Sequence, residues 1–162
     1  MNGVGVIFDI DTYKSNEKFY FIYLKELNQE NTELYINNEK KEFKNYFIPI
    51  KKGKYIITLK FTINLKDCSN MFQGCNNIKK IDFINFNNKN NINMKYMFAD
   101  CHKLENINLF SVSTKNVINM SHMFHMCKNL KNLNLSSFDT ENVTDLSGMF
   151  YGCENLKYID LT

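Results

Sequence analysis

The chain has 162 residues, 44% of them apolar and 14% aromatic, enough to bury a core in one or two small domains. Its formal charge is +3 and every basic residue is Lys. Without the Arg fork, sequence-specific nucleic-acid binding is not expected. Five cysteines are an odd number, which argues against a closed disulfide framework and for reduced thiols. No apolar run approaches the roughly 18 residues of a membrane span. The opening MNGVGVIFDIDTYK lacks a basic segment followed by a continuous apolar one, so the expected location is intracellular unless a leader has been removed.

In chain order, VGVIFDI (Val4 to Ile10) is a strand candidate. KFYFIYLKE, from Lys18, is apolar on both alternating sets and reads as a strand buried on both faces or a short helix. NNEKK at Asn37–Lys41 is a turn between ELYI and KEF, and KKGK at Lys51–Lys54 is a turn after NYFIPI, suggesting a hairpin. KYIITLKFTINL alternates strictly: Ile57, Leu59, Phe61, Ile63 and Leu65 share one face, and Thr58, Lys60, Thr62 and Asn64 the other. Residues 1–63 are therefore expected to form a small β-rich domain that caps the rest of the chain.

From residue 64 onward the sequence repeats every 26 residues. The pentads MFQGC, MFADC, MFHMC and MFYGC place Cys75, Cys101, Cys127 and Cys153 in one series. Ile78, Leu104, Leu130 and Leu156 lie three residues beyond each Cys. Ile81, Ile107, Leu133 and Ile159, then Phe83, Leu109, Leu135 and Leu161, complete an L-x-x-L-x-L strand pattern. The other half of each unit has helical spacing, Met94 with Met97 and Met120 with Met123, behind the candidate N-caps Asp67, Asn93, Asn119 and Asp145. Gly74 and Gly152 stand where a short helix must stop. The expected fold is thus an α+β solenoid: a short leucine-rich-repeat-like array of about four 26-residue units over 64–162, each a strand plus a short helix or 3₁₀ turn, behind the β-rich cap. Met, Phe and Cys are expected inside it, with Cys68 joining the column of Met94, Met120 and Leu146. Asn64, Asn90, Asn116 and Asn142 are expected to form a ladder of side-chain bonds to the backbone.

The pattern LKNLNLSSFDTENVTDLSGMFYGCENLKYIDL, Leu130 to Leu161, resembles the BspA-like leucine-rich repeat surface proteins and their 26-residue bacterial-surface-protein repeat. SSFDT at Ser136–Thr140 and NVTDLSGMF at Asn142–Phe150 carry the likeness best, while INFNNKNNI at Ile84–Ile92 departs from it. The resemblance implies a repeat-built binding or adhesion module without catalytic residues, and a cell-surface location if a leader was removed.

Candidate chemistry is weighed against that reading. Cys101, His102, His122, His125 and Cys127 could supply Zn²⁺ ligands, but the His columns are expected to face solvent and the Cys column the core, so no metal is expected. Neighbouring thiols are not expected to pair, because parallel side chains do not lean together. Asp9 and Asp11 in FDIDT resemble a phosphotransfer pair only weakly, and GVG at Gly3–Gly5 is too short for a nucleotide loop. No cofactor and no enzyme activity are expected. The outward strand positions Lys80, Asp82, Asn106, Asn108, Asn132, Asn134, Tyr158 and Asp160 form the expected binding face, polar and nearly neutral, suited to protein or glycan. The expected function is a non-enzymatic protein-interaction or scaffold module with a protein partner. The alternatives are a structural subunit within a larger assembly, or a surface adhesin.

Overall fold

The computed structural model describes residues 5–12, 14–86 and 88–161. Val4 of the first strand candidate and Gly3 of GVG lie outside the described residues, as do Asn87 and Thr162. The described part is β-rich, with strands β1 (Gly5–Thr12), β2 (Phe19–Tyr20), β3 (Thr32–Ile36), β4 (Glu39–Lys41), β5 (Tyr46–Phe47), β6 (Gly53–Phe61), β7 (Ile78–Ile84), β8 (Asn106–Asn108), β9 (Asn132–Asn134) and β10 (Tyr158–Asp160).

Six of these make one sheet in the order β4-β3-β6-β1-β7-β8. β1 sits between β6 and β7 and is antiparallel to both. Alternation explains its orientation: Val6, Phe8 and Ile10 are buried opposite Leu59, Ile57 and Tyr55, while Asp9 points outward. At Gly5 any Cβ would collide with the Leu59 carbonyl, so the close approach of β1 to β6 requires glycine there. This sheet joins β7 and β8 of the repeat region directly to strands of the first 63 residues.

The NNEKK turn narrows to Asn37 and Asn38, whose φ values of 50° and 68° close the β3–β4 hairpin. The hairpin expected around KKGK does not form. β5 pairs instead with β2, and β6 pairs with β1 and β3. The ambiguous KFYFIYLKE segment is extended only at β2. Beyond it, Phe21 and Ile22 are fully buried and the Tyr23 N–H donates to the Met71 carbonyl at 2.9 Å.

The expected α+β solenoid of leucine-rich units is not what the chain forms. Among the described residues there is no helix, and the strand side is not continuous: β8 ends the six-stranded sheet, while β9 and β10 make a separate parallel pair. The reason lies in the backbone of the segments read as helical. Asn70, Tyr96, His122 and Gly148 have φ near +60°, and so do Asp100 and Met126; Gly74 and Gly152 lie at 71° and 74°. Two left-handed residues in each eight-residue stretch cannot be accommodated in a right-handed helix.

The amides then divide in alternation. Met71, Gln73 and Cys75 donate back three residues, to Cys68, Asn70 and Phe72. The intervening Cys68, Asn70, Phe72 and Gly74 donate forward, to the carbonyls of Asn93, Lys95, Met97 and Ala99 in the next unit. The same four forward bonds recur from Met94, Tyr96, Phe98 and Asp100, and again from Met120, His122, Phe124 and Met126. The residues read as N-caps do what a cap does without a helix behind them. Side-chain oxygens of Asp67, Asn93, Asn119 and Asp145 accept from the amide two residues on, at 2.7–3.1 Å.

Packing has the same period. Phe72, Phe98, Phe124 and Phe150 stack face to face with centroids 5.2–5.9 Å apart and interplanar angles of 4–12°. Phe8 of β1 meets Phe72 edge-on at 5.4 Å, so the core of the first sixty residues and that of the repeats are one cluster.

Two substitutions test this packing. Phe98→Ala should lower stability by about 3–5 kcal/mol, measured by urea unfolding, because both of its stacking neighbours lose a ring. Gly148→Ala should cost about 1–2 kcal/mol, since the position is left-handed and its Cβ would press on the His122 ring. Part of that cost should disappear in a His122→Ala background, as a double-mutant cycle would show.

Candidate functional site

The outward positions pair off within β7–β8 and within β9–β10. Lys80 lies beside Asn106, Asp82 beside Asn108, Asn132 beside Tyr158 and Asn134 beside Asp160. Asn106 on β8 and Asn132 on β9 are exposed. Lys80 and Asp82 neutralise each other at 2.7 Å, which raises the Lys80 pKa. Asn134 donates to Asp160 at 3.0 Å and accepts from the Ser136 N–H and hydroxyl. Asn108 accepts from the Phe110 amide at 3.1 Å. The side chains of Asn106 and Asn132 have no bond among the described residues. The eight expected residues are therefore brought together as two short strips, Lys80 to Asn108 and Asn132 to Asp160, on strands that belong to different sheets.

A groove away from these strands was not anticipated. Asn90, Ile92, Asn116, Ile118, Asn142 and Thr144 line an open groove of about 600 Å³. The Asn ladder lies along it: Asn116 Nδ2 donates to the Lys89 carbonyl at 2.7 Å and Asn142 Nδ2 to the Lys115 carbonyl at 2.9 Å. Both bonds reach back to the preceding unit, and Asn64 does not join them, its Oδ1 being buried without a partner. Ile92 and Ile118 are half exposed beside these amides. The sequence signal was present only in part, an isoleucine two places after Asn90 and Asn116 but Thr144 after Asn142, and in the second of these units Val117 fills the inward slot next to it.

The thiols occupy a different environment. Sγ–H of Cys101, Cys127 and Cys153 donates to the carbonyls of Phe72, Phe98 and Phe124 at 3.0–3.1 Å. Each of those carbonyls already accepts the amide of its own unit's Cys. Burial pushes the Cys68, Cys75, Cys101 and Cys127 thiols well above the ordinary value, and Cys153 up to a smaller extent. The histidines lie elsewhere. His102 Nδ1 sits 2.9 Å from the Met126 carbonyl, His122 stacks on Tyr96 at 4.7 Å, and His125 stacks on Tyr151 at 5.3 Å. Thiols and imidazoles thus do not converge. Asp11, half of the FDIDT pair, is held by Lys79 at 2.8 Å. No helix among the described residues is long and apolar enough to cross a membrane.

Among known protein families, the model described as "Mycoplasma protein of unknown function, DUF285" matches residues 41–160, and the chain belongs to that family. Neither the curated proteins nor the solved structures contain a match to the chain.

The thiol environment sets a pH dependence. The folded chain holds these protons more tightly than the unfolded chain does. The thiols' contribution to stability is therefore complete below their ordinary value of 9.0 and is lost as pH rises above it. Each buried thiol should steepen that decline by up to about 1.4 kcal/mol per pH unit. Urea unfolding across the alkaline range should show a shallower decline for Cys101→Ala than for the unaltered chain, although that variant is less stable at neutral pH.

Proposed function

We propose that this member of the family is a non-enzymatic interaction module that contacts a protein or glycan through the outward strand residues Lys80, Asp82, Asn106, Asn108, Asn132, Asn134, Tyr158 and Asp160. The observation that carries the reading is the state of the amides. Asn106 and Asn132 are exposed, sit on hydrogen-bonded strands that hold their backbones in place, and keep both a donor and an acceptor for a partner. The ion pair of Lys80 with Asp82 leaves this face without a charged stripe, which favours neutral polar ligands over nucleic acid.

A non-catalytic role is supported by the chemistry of the repeated cysteines. Burial favours the neutral thiol, and a thiol that resists ionisation is a poor nucleophile. The likeness of residues 130–161 to the repeats of BspA-like surface proteins points the same way. In this reading residues 1–63 act as the cover for the first unit, with β1 along β7 and Tyr23 on the Met71 carbonyl.

The test uses Asn106→Lys combined with Asn132→Lys, two exposed changes that leave the core intact. Immobilised chain and variant would be compared on a glycan array and against cell extract, with each retained ligand then titrated. The expected result is an unchanged melting temperature and a loss of affinity of about tenfold or more, which is 1.4 kcal/mol. Equal retention of every ligand by the two chains would move the function off this face.

A further inference from the structure

Exposed apolar surface and unpaired positive charge meet at one tip of the molecule, the end of the β1–β6 pair where Thr12 lies opposite Gly53. The loop leading into β6 carries Ile48 at 50% exposure and Ile50 at 90%, with Pro49 buried between them. A loose loop would fold such side chains back against the protein, but this one is braced. The Pro49 carbonyl accepts from the Asn16 N–H at 2.9 Å, and the Tyr55 hydroxyl donates to the Lys51 carbonyl at 2.8 Å. The Gly53 N–H donates to the Thr12 hydroxyl at 3.2 Å. Ile50 is thus held away from the core between two anchored residues.

Lysines flank this apex from two segments. Lys51, Lys52 and Lys54 are exposed and form no ion pair among the described residues. The segment 14–18, tied to the loop through Asn16, adds Lys14 and Lys18, and its one carboxylate, Glu17, is paired with Lys14 at 3.2 Å. Lys18 Nζ lies 4.6 Å from the Tyr46 ring, beside the exposed Tyr20. A nucleic acid would neutralise the lysines but give Ile50 nothing apolar to enter. An anionic lipid surface serves both: headgroups meet the ammonium groups, the acyl boundary takes the isoleucines, and tyrosines suit the interface between them. The repeats leave this tip open. β6 lies on the opposite side of β7 from β8, so the column of units runs away from it, and β1 begins at its far end beside Lys60.

We propose that the braced loop of residues 48–54 docks this protein on an anionic membrane surface. Ile48 and Ile50 enter the boundary between headgroups and acyl chains, while Lys51, Lys52 and Lys54 contact the anionic headgroups. The tip shares no residue with the outward strand face, so the two sites can fail independently.

The test is co-sedimentation of the full chain with vesicles of phosphatidylcholine alone and with about one third phosphatidylserine. The chain should bind the anionic vesicles and not the neutral ones. Ile50→Ser, a neutral change at an exposed position, should keep the melting temperature and weaken binding by about tenfold or more. Lys51→Gln combined with Lys52→Gln should weaken it by a similar factor. The chain contains no Trp, so Ile50→Trp supplies a single fluorescent reporter. Its emission should move to the blue on anionic vesicles and be quenched by lipids brominated in their acyl chains, whereas that of Ile118→Trp should do neither. The chain with Asn106→Lys and Asn132→Lys should bind the vesicles as the unaltered chain does. Four results would overturn the proposal: no binding to anionic vesicles, equal binding by Ile50→Ser, equal quenching of the two reporters, or displacement from vesicles by an oligonucleotide that Ile50→Ser binds equally well.

Discussion

The repeat region depends on how its backbone amides are divided. Left-handed residues at two places in each turn segment direct alternate N–H groups away from their own unit and toward the next. A helix would have turned the later of these donors onto its own carbonyls, leaving neighbouring units to associate mainly through side chains. Here the backbone itself ties unit to unit, and the parallel bridges Asp67–Asn93, Asn93–Asn119 and Asn119–Asp145 mark the same seam. The strand side contributes less. It pairs β7 with β8 and β9 with β10, and the connection between those pairs comes from the turn seam and the phenylalanine column.

The cysteine in every unit is a result of that division. Each Phe carbonyl on the seam accepts one amide from its own unit and retains a lone pair facing the next. A buried Ala or Val would fill the space but donate nothing. Ser would donate, yet it would bring a strongly polar oxygen whose remaining hydrogen-bonding capacity is costly to bury, by about 1–3 kcal/mol. The thiol is small, apolar enough for the core, and still a weak donor. Burial rather than hydrogen bonding dominates its ionisation. At Cys101 desolvation raises the pKa more than the bond to the neighbouring backbone lowers it.

The sequence made some of this legible and hid the rest. The period of 26 and the inward Met, Phe and Cys could be read because identical side chains recur in identical surroundings. The residues read as helix caps each accept an amide, but no helix follows them. The segments behind those caps could not be read as turns, because Tyr96 and Met126 ordinarily avoid positive φ and Asp100 and His122 adopt it only in a minority of cases. Only Gly74 of the first unit and Gly148 and Gly152 of the fourth showed it openly. Spacing of three between apolar residues then suited a helix as well as two successive turns. Pairing in the first sixty residues was hidden for another reason. The alternation in β6 fixes which face is buried but not its neighbours, and β1 and β3 lie far from it in sequence. The face of the strand amides was legible from alternation alone, whereas the groove beside Ile92 and Ile118 depends on how far each turn bulges.

The two polar surfaces differ in the hydrogen-bonding groups they leave free. In the groove, Asn116 and Asn142 have committed their Nδ2 groups to carbonyls of the preceding unit, so they offer chiefly an acceptor flanked by aliphatic side chains. Removing either would unpair a backbone carbonyl, which makes these residues structural first. On the strand face Asn106 and Asn132 hold no such bond, and their exposure lets a partner use donor and acceptor together. Recognition that requires both hydrogen-bonding senses from one side chain is therefore available on the strand face and largely spent in the groove.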